Sequence, residues 1–532
     1  MTASVGASAL RGILNDGGEL ALIDVREELI FSQNHLLMAR SVPLSRFELR
    51  FAPLVPRRAT RIVLCDDGEG LAGRAAAILA RNGYTDVRIL DGGIKAWSAA
   101  GFELFSGVNV PSKAFGEYIE HANGTPSIAA GELDALMRKG TDLVVLDSRP
   151  FDEFFHVSIP TATNVPGAEL VLRARELAPS PDTLVVVNCA GRTRSIIGAQ
   201  SLINAGLPNK VVALRNGTMG WSLAGFACDS GKSGRAPAVS PAVLDWARQA
   251  AGRVAQSCGV ERIDRATLQA WRNEDSRTLY LFDVRDPDEY EAGHVPGAIS
   301  APGGQLVQAT DHYVGTRGAR IVLVDDAEVR ALMTGSWLRQ MGYPDVFVLA
   351  EAGTENGWPQ TPILETDAPS DPGIDCAALS ELISRHAATV IDVSPSRDYF
   401  KAHIPDAWFA IRTRFTRALE KISLVGTLVI TSEDGVLARL AVPEAAALTE
   451  HPVRFLEGGN AAWRAAGHAF STAPRMADEA IDQWRKPYER SGDTTAAMQE
   501  YLAWETDLLP RIERDGALKF APFIAPPPAE SR

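Results

Sequence analysis

Short runs of apolar residues that end in an aspartate recur along the chain. Leu22-Ile-Asp-Val-Arg26 returns as Val145-Leu-Asp-Ser-Arg149, as Leu281-Phe-Asp-Val-Arg285 and as Val390-Ile-Asp-Val-Ser394. A glycine and a tryptophan follow each run at a distance: Asp-Gly-Gly-Ile-Lys-Ala-Trp97, Arg-Asn-Gly-Thr-Met-Gly-Trp221, Glu-Ala-Gly-Thr-Glu-Asn-Gly-Trp358 and Glu-Gly-Gly-Asn-Ala-Ala-Trp463. The intervals from Asp to Trp are nearly equal, which identifies a four-fold internal repeat. A second apolar run lies between the two landmarks in every copy: Arg61-Ile-Val-Leu-Cys65, Leu184-Val-Val-Val-Asn188, Arg320-Ile-Val-Leu-Val324 and Leu428-Val-Ile-Thr-Ser432. A polar loop, a helix-like segment, a turn and a third run follow, such as Val87-Arg-Ile-Leu90 or Val211-Val-Ala-Leu214. Continuous apolar strands alternating with helical segments predict an α/β fold with a small parallel sheet flanked by helices on both faces.

Length agrees with repetition. At about 150 residues per domain, a chain of 532 residues suggests three or four domains rather than one core. The expected domains are 5–105, 125–230, 258–362 and 372–470, with a tail over 475–520. Asp229 to Ser240 is rich in Gly, Ser, Pro and Lys and reads as a flexible linker. Ser240-Pro241 then reads as an N-cap with proline at the first helical position, opening a helix to about Ala255 that bridges the second and third domains. Trp484, Tyr488, Tyr501, Leu502 and Trp504 recur at roughly helical spacing. They predict a two-helix tail whose aromatics pack on a neighbouring domain. The terminal Ala-Pro-Pro-Pro-Ala reads as disordered.

Composition narrows the function. Fifty-three basic against 66 acidic residues leave a net charge of −13, which argues against a general nucleic-acid binder or a protein drawn to anionic membranes. Met1 to Leu14 has no basic start followed by an apolar core, and no run of 18 apolar residues occurs. The expected compartment is therefore the cytoplasm. Five cysteines at 65, 189, 228, 258 and 376 are too few and too scattered for a disulfide framework or a zinc site. No metal and no other cofactor is expected. The question becomes whether one thiol is reactive.

In such folds ligands bind beyond the carboxyl ends of the strands, where loop meets helix N-terminus. In the second copy the strand runs into Cys189-Ala-Gly-Arg-Thr-Arg-Ser195. The aligned positions elsewhere read as Asp66, Asp326 and Glu433, three carboxylates against one cysteine. A loop that wraps onto a helix N-terminus directs several N–H groups at one spot and attracts an anion. A carboxylate supplied by the chain would fill that spot and leave the domain structural. Arg192 and Arg194 oppose the helix dipole unless an anion sits among them. A thiol, two arginines and N–H donors together predict a thiolate site that receives an anionic substrate, in a field that favours the nucleophilic form. Cys65, one place before its loop and without adjacent cations, reads as a core residue, as do Cys228, Cys258 and Cys376.

On these elements residues 5 to 470 resemble a tandem array of rhodanese domains, the thiosulfate sulfurtransferase family. The carriers of the resemblance are the Asp-Val-Arg strand end, the Gly293-His-Val-Pro-Gly-Ala298 element, the loop after the second strand and the Gly-Gly-x-x-x-Trp element. The second copy departs from it at Ser158, where the others place His35, His294 and His403. The resemblance implies that Cys189 attacks the outer sulfur of a small anionic donor, becomes a persulfide, and passes the sulfur to a thiol or cyanide acceptor. It implies that the backbone of Ala190, Gly191, Arg192, Thr193, Arg194 and Ser195 cradles persulfide and substrate. Arg192 and Arg194 would hold the sulfonate, Arg194 more directly. Asp147 and Arg149 would brace the loop from behind, and Trp221 would pack under the domain edge. The resemblance also implies that a loop this cationic favours thiosulfate over 3-mercaptopyruvate, with a persulfidated protein or glutathione persulfide as further candidate donors.

Two alternatives belong beside this reading. Phosphatases of the same fold close a longer loop with an arginine six positions after the cysteine, where this chain has Ser195. A sulfur carrier or binding scaffold would use Cys189 as a docking thiol, with three copies lacking the nucleophile.

Overall fold

A computed structural model describes residues 2–351, 353–365 and 373–523; the Ala-Pro-Pro-Pro-Ala segment lies outside them. Four five-stranded sheets follow one another along the chain. In the second copy the order across the sheet is Ser127–Ile128, Val211–Leu214, Leu184–Asn188, Leu143–Asp147 and Thr163–Asn164, with every pair parallel. The first and third copies repeat this order. The Val-rich strand Leu184–Asn188 lies at the centre, where both faces are covered. Val185, Val186 and Val187 are accordingly buried, which is why the sequence shows no alternation there.

The fourth copy shifts by one strand. Its N-terminal strand is reduced to a single bridge between Ile374 and Leu456, and Arg475–Met476 adds an edge strand on the other side. Among the described residues the third copy shows no helix after its last central strand, where the other copies have one. Gly93–Ala99, Gly217–Leu223 and Gly459–Ala465 are entered through two consecutive left-handed residues: Gly92-Gly93, Asn216-Gly217 and Gly458-Gly459. Trp97, Trp221 and Trp463 are buried and donate to a backbone carbonyl six residues on. Trp358 is instead 56 % exposed and lies against Tyr290. The equal spacing that predicted a fourth equivalent tryptophan is therefore not matched by an equivalent position.

The copies do not hang separately. The helix Pro241–Ser257 buries Ala247, Ala250, Ala251, Val254 and Ala255, a stripe of helical period. These small residues let it lie close to Leu170–Leu177 of the second copy and Val329–Gln340 of the third. One hydrophobic core runs through both copies. Ser240 precedes this helix without a side-chain cap, and its N–H donates to Glu176 instead. The preceding linker, expected to be flexible, is held at Asp229 by Ser158 and at Arg235 by Asn164.

Ion pairs tie the other joints. Arg40 meets Asp311 at 2.7 Å between the first and third copies, and Arg412 meets Glu48 at 2.8 Å between the fourth and first. Arg330 joins the third copy to the second through Glu169 at 2.9 Å while also binding Asp325 and Asp326 at 3.0 Å.

The tail is one helix, not two. Pro487 and Gly492 interrupt the first half, which forms only the edge strand and a short turn over Pro487–Glu489. Thr494–Asp515 then runs unbroken, capped by Asp493 accepting from Thr495 and Ala496 and closed by Gly516 at φ 71°. No helix among the described residues is long and apolar enough to cross a membrane.

Removing one partner of a buried charge cluster strands the others. Arg330→Ala should therefore lower stability by about 3–5 kcal/mol, read as an earlier denaturant transition for the unit formed by the second and third copies. Arg464→Ala, whose partner Glu433 is as exposed as itself, should leave the transition essentially where it is.

Candidate active site

Cys189 is the first residue after the central strand of the second copy. The residue before it, Asn188, stands beside Asp147 in the parallel register. Asp147 is the hub of a buried brace. Its carboxylate accepts from Arg149 at 2.9 and 2.7 Å and from Asn188 Nδ2 at 2.8 Å, and Arg149 donates onward to the Val157 carbonyl at 2.7 Å. Asn188 also donates to Thr218 Oγ1 at 3.1 Å. The strand end is thus tied to two neighbouring segments before the loop begins. Arg26 with Asp24 and Arg285 with Asp283 repeat the pair in the first and third copies.

The loop carbonyls are drawn to one side. Thr218 N–H donates to the Cys189 carbonyl at 2.8 Å, and Met219 N–H to the Ala190 carbonyl at 3.0 Å. A trans peptide points its N–H opposite to its carbonyl, so the N–H groups of Ala190 and Gly191 face the other way. Gly217 permits this clamp: its φ is +52°, and a Cβ there would lie 2.3 Å from the Cys189 oxygen. Among the described residues, the N–H groups of Ala190, Gly191, Arg192, Thr193, Arg194 and Ser195 have no acceptor within the protein. The Cys189 thiol donates to Ser195 Oγ at 3.4 Å, and Ser195 Oγ donates to the Arg192 carbonyl at 2.9 Å.

The sister loops differ at the equivalent position. Asp24 pairs with Cys65, Asp283 with Val324 and Asp392 with Thr431. The residues aligned with Cys189 are therefore Asp66, Asp325 and Ser432. The expected Asp326 and Glu433 lie one place too far along, because the polar neighbours Asp325 and Ser432 conceal the register. Asp66 accepts from the N–H groups of Gly68 and Ala72. Asp325 accepts from Ala327, Arg330 and Ala331. Ser432 Oγ accepts from Ala438 N–H at 3.2 Å. Two sister cups are closed by a carboxylate and one by a hydroxyl.

Neither arginine of the loop waits for a substrate unpaired. Arg192 forms a two-pronged pair with Glu117 at 2.7 and 2.8 Å and also binds Glu120 and Asn216. Arg194 pairs with Glu153 at 2.9 Å and meets Gln305 at 3.4 Å. The anion that the helix dipole demands is supplied by the protein. Arg194 remains within electrostatic reach of the Cys189 sulfur. Burial pushes the Glu153 carboxyl up, but Arg194, Lys486 and Arg149 together hold it well below the usual carboxylate range. Thr193 Oγ1 donates to Glu505 at 3.2 Å, and Glu505, fully buried, also binds Lys113 at 2.8 Å.

Cys189 is only 2 % exposed, yet it lines a cavity of about 190 Å³. Every part of the chain reaches that cavity. Glu28 comes from the first copy, His312 from the third and Arg397 from the fourth; Lys486, Tyr488 and Tyr501 come from the tail. The tail aromatics were expected as packing alone, and hundreds of residues separate them from Cys189. Trp221 is buried beside the clamp and is not among the residues lining this cavity. Ser158 occupies the ladder position that His35, His294 and His403 hold in the other copies.

The remaining thiols are differently placed. Cys65 is fully buried on its strand, and burial pushes its thiol well above the ordinary range. Burial also raises Cys258, to about 11. Iodoacetamide should therefore modify Cys189 and half-exposed Cys228 in the native protein and leave Cys65 untouched until unfolding. Peptide mass spectrometry of a timed reaction checks this; protection of Cys189 equal to that of Cys65 would show the cavity closed to small reagents.

The family model described as the rhodanese-like domain matches four times, at residues 7–100, 129–224, 264–355 and 375–466. A solved structure of a thiosulfate sulfurtransferase from Pseudomonas aeruginosa is 48 % identical, covers 98 % of this chain and 100 % of that one, and superposes with a TM-score of 0.95. A Bacillus subtilis (strain 168) relative, the uncharacterized protein YqhL, is 40 % identical over 76 residues, 14 % of this chain and 59 % of that protein's length. With four matching domains that together span well over half its length, the chain belongs to the rhodanese family and is a rhodanese-type enzyme.

Proposed function

We propose that the protein is a sulfurtransferase that moves sulfane sulfur from thiosulfate to cyanide or a small thiol through a persulfide on Cys189. The observation that carries this reading is the contrast among the four cups. Three are filled by a side chain of the protein, and one holds a thiol beneath six N–H groups that lack acceptors.

The Cys189 thiolate attacks the outer sulfur of thiosulfate. A sulfur–sulfur bond forms to Cys189, the one inside thiosulfate breaks, and sulfite leaves with the electron pair. The acceptor then attacks the outer sulfur of the persulfide and releases the Cys189 thiolate. Both half-reactions place negative charge on sulfur within the loop. Preorganised N–H dipoles stabilise that charge without reorganising, and they act strongly in a site shielded from water. Asp147 and Arg149 keep the strand end fixed while this happens. The similar Pseudomonas aeruginosa protein is a thiosulfate sulfurtransferase, which supports the donor assigned here.

A carrier that docks through Cys189 fits the burial poorly, since a sulfur only 2 % exposed offers a macromolecule no surface. A phosphatase fits poorly too. Position six of the loop is Ser195, whose hydroxyl is turned onto the Arg192 carbonyl rather than toward a phosphate.

Incubation with thiosulfate should add the mass of one sulfur atom to the peptide carrying Cys189. Cys189→Ser should abolish that addition and turnover, and Cys65→Ser should leave both intact. Arg194→Ala should raise the thiosulfate KM by about tenfold or more, as loss of a charged hydrogen-bond partner does. Faster turnover of an aryl phosphate than of thiosulfate would overturn the assignment.

A further inference from the structure

The two arginines of the loop are committed to carboxylates, and three cations from outside the loop also line the cavity: Lys113, which Glu505 holds, Arg397 and Lys486. Lys486 lines the same cavity as Cys189 and Arg194. It lies beyond the last rhodanese match, which ends at residue 466. Its ammonium sits 3.1 Å from Glu153 Oε1, while Arg194 holds the other oxygen at 2.9 Å. One carboxylate therefore spaces a cation of the second copy from a cation of the tail. Glu153 itself is not part of the cavity lining, so its charge lies behind the pair. The Lys486 side chain keeps 32 % of its surface exposed, against 9 % for Arg194. Lys486 is the more mobile donor, on a flexible stem with three rotatable N–H bonds. Pro487 and Tyr488, the next two residues, line the same cavity, and Tyr488 packs against the cluster of Met219, Met498 and Leu502.

We propose that Lys486 is a specificity-determining residue that pairs with Arg194 to bind the sulfonate end of a doubly charged donor, with Glu153 setting the distance between them. The inference rests on the persulfide reading of Cys189 and deepens it by naming what recognises the donor. Two cations placed side by side attract a donor carrying two negative charges more strongly than one carrying a single charge, because the Coulomb energy scales with the charge of the ligand. The assignment concerns donor binding only. Once the donor is in place, attack by sulfur needs nothing from Lys486.

The test compares wild type, Lys486→Gln and Lys486→Arg with two donors: thiosulfate, and an organic thiosulfonate carrying one charge. Lys486→Gln should raise the thiosulfate KM by about three- to tenfold, as expected for a partly exposed charged contact, with kcat unchanged. The thiosulfonate KM should move less, and Lys486→Arg should restore the thiosulfate value. An unchanged thiosulfate KM would overturn the proposal, as would equal losses with both donors or a fall in kcat that arginine does not rescue. Persulfide formation on wild-type Cys189, followed by mass spectrometry, reads the underlying reaction independently. A wild type that loads sulfur beside an unaltered Lys486→Gln sinks only this inference, whereas a wild type that never loads sinks the reading beneath it.

Discussion

The site depends on where the N–H groups of a single turn find their acceptors. A strand that runs into a helix leaves several amides without carbonyl partners, and buried amides must be satisfied. The fold repeats this turn four times. Asp66, Asp325 and the hydroxyl of Ser432 each accept from the turn that follows them, which makes those loops self-sufficient. Cys189 is a poor acceptor by comparison, and its loop is left with demand that only an external anion or a charged sulfur can meet. The same geometry is structural or chemical according to one side chain. Gly217 and Thr218 matter for the same reason, because they draw the loop carbonyls away and turn the amides inward.

The three filled copies then have a physical role that needs no chemistry of their own. A single small domain would leave the mouth of the loop open to water. Here Glu28, His312 and Arg397 bring the other three copies to the rim, and the tail closes the remaining side through Lys486, Tyr488 and Tyr501. Glu505 carries this arrangement beneath the loop, where it joins Thr193 to Lys113. The shared core of the second and third copies and the ion pairs Arg40–Asp311, Arg412–Glu48 and Arg330–Glu169 hold the walls at fixed distances. Enclosure lowers the local dielectric, which strengthens every dipole aimed at the sulfur.

Much of this was legible in the chain, and what was not has identifiable causes. Parallel sheets followed from apolar runs without alternation, and the site loop followed from strand, cysteine and helix in succession. The Asp147–Arg149 brace was visible because its partners lie two residues apart. The arginines were read as needing an anion from the substrate, and the structure shows carboxylates of the protein already beside them. Their partners Glu117 and Glu153 lie 75 and 41 residues away, beyond any local pattern. Asp326 and Glu433 were mistaken for the residues that fill the cups because adjacent positions also carry polar side chains, and only strand register separates them. Trp358 kept the spacing of its sisters without their glycine-led turn. The tail failed as a helix pair because Pro487 and Gly492 outweigh an aromatic spacing that serves a cavity wall instead.

The distribution of charge also bears on turnover. A cup with two unpaired arginines would bind thiosulfate tightly, but it would bind the departing sulfite just as tightly. Binding ground state and product equally well does nothing for the rate. Carboxylates behind the cations change that balance. Glu117 and Glu120 remove Arg192 from the account, and Glu153 tempers Arg194 without entering the cavity. In the proposed reaction, what remains undiluted is the set of N–H dipoles around Cys189, aimed at the sulfur on which charge would develop rather than at the sulfonate that would leave. In a chain of net charge −13, an anion is admitted by a modest local field and stabilised most where its charge is changing.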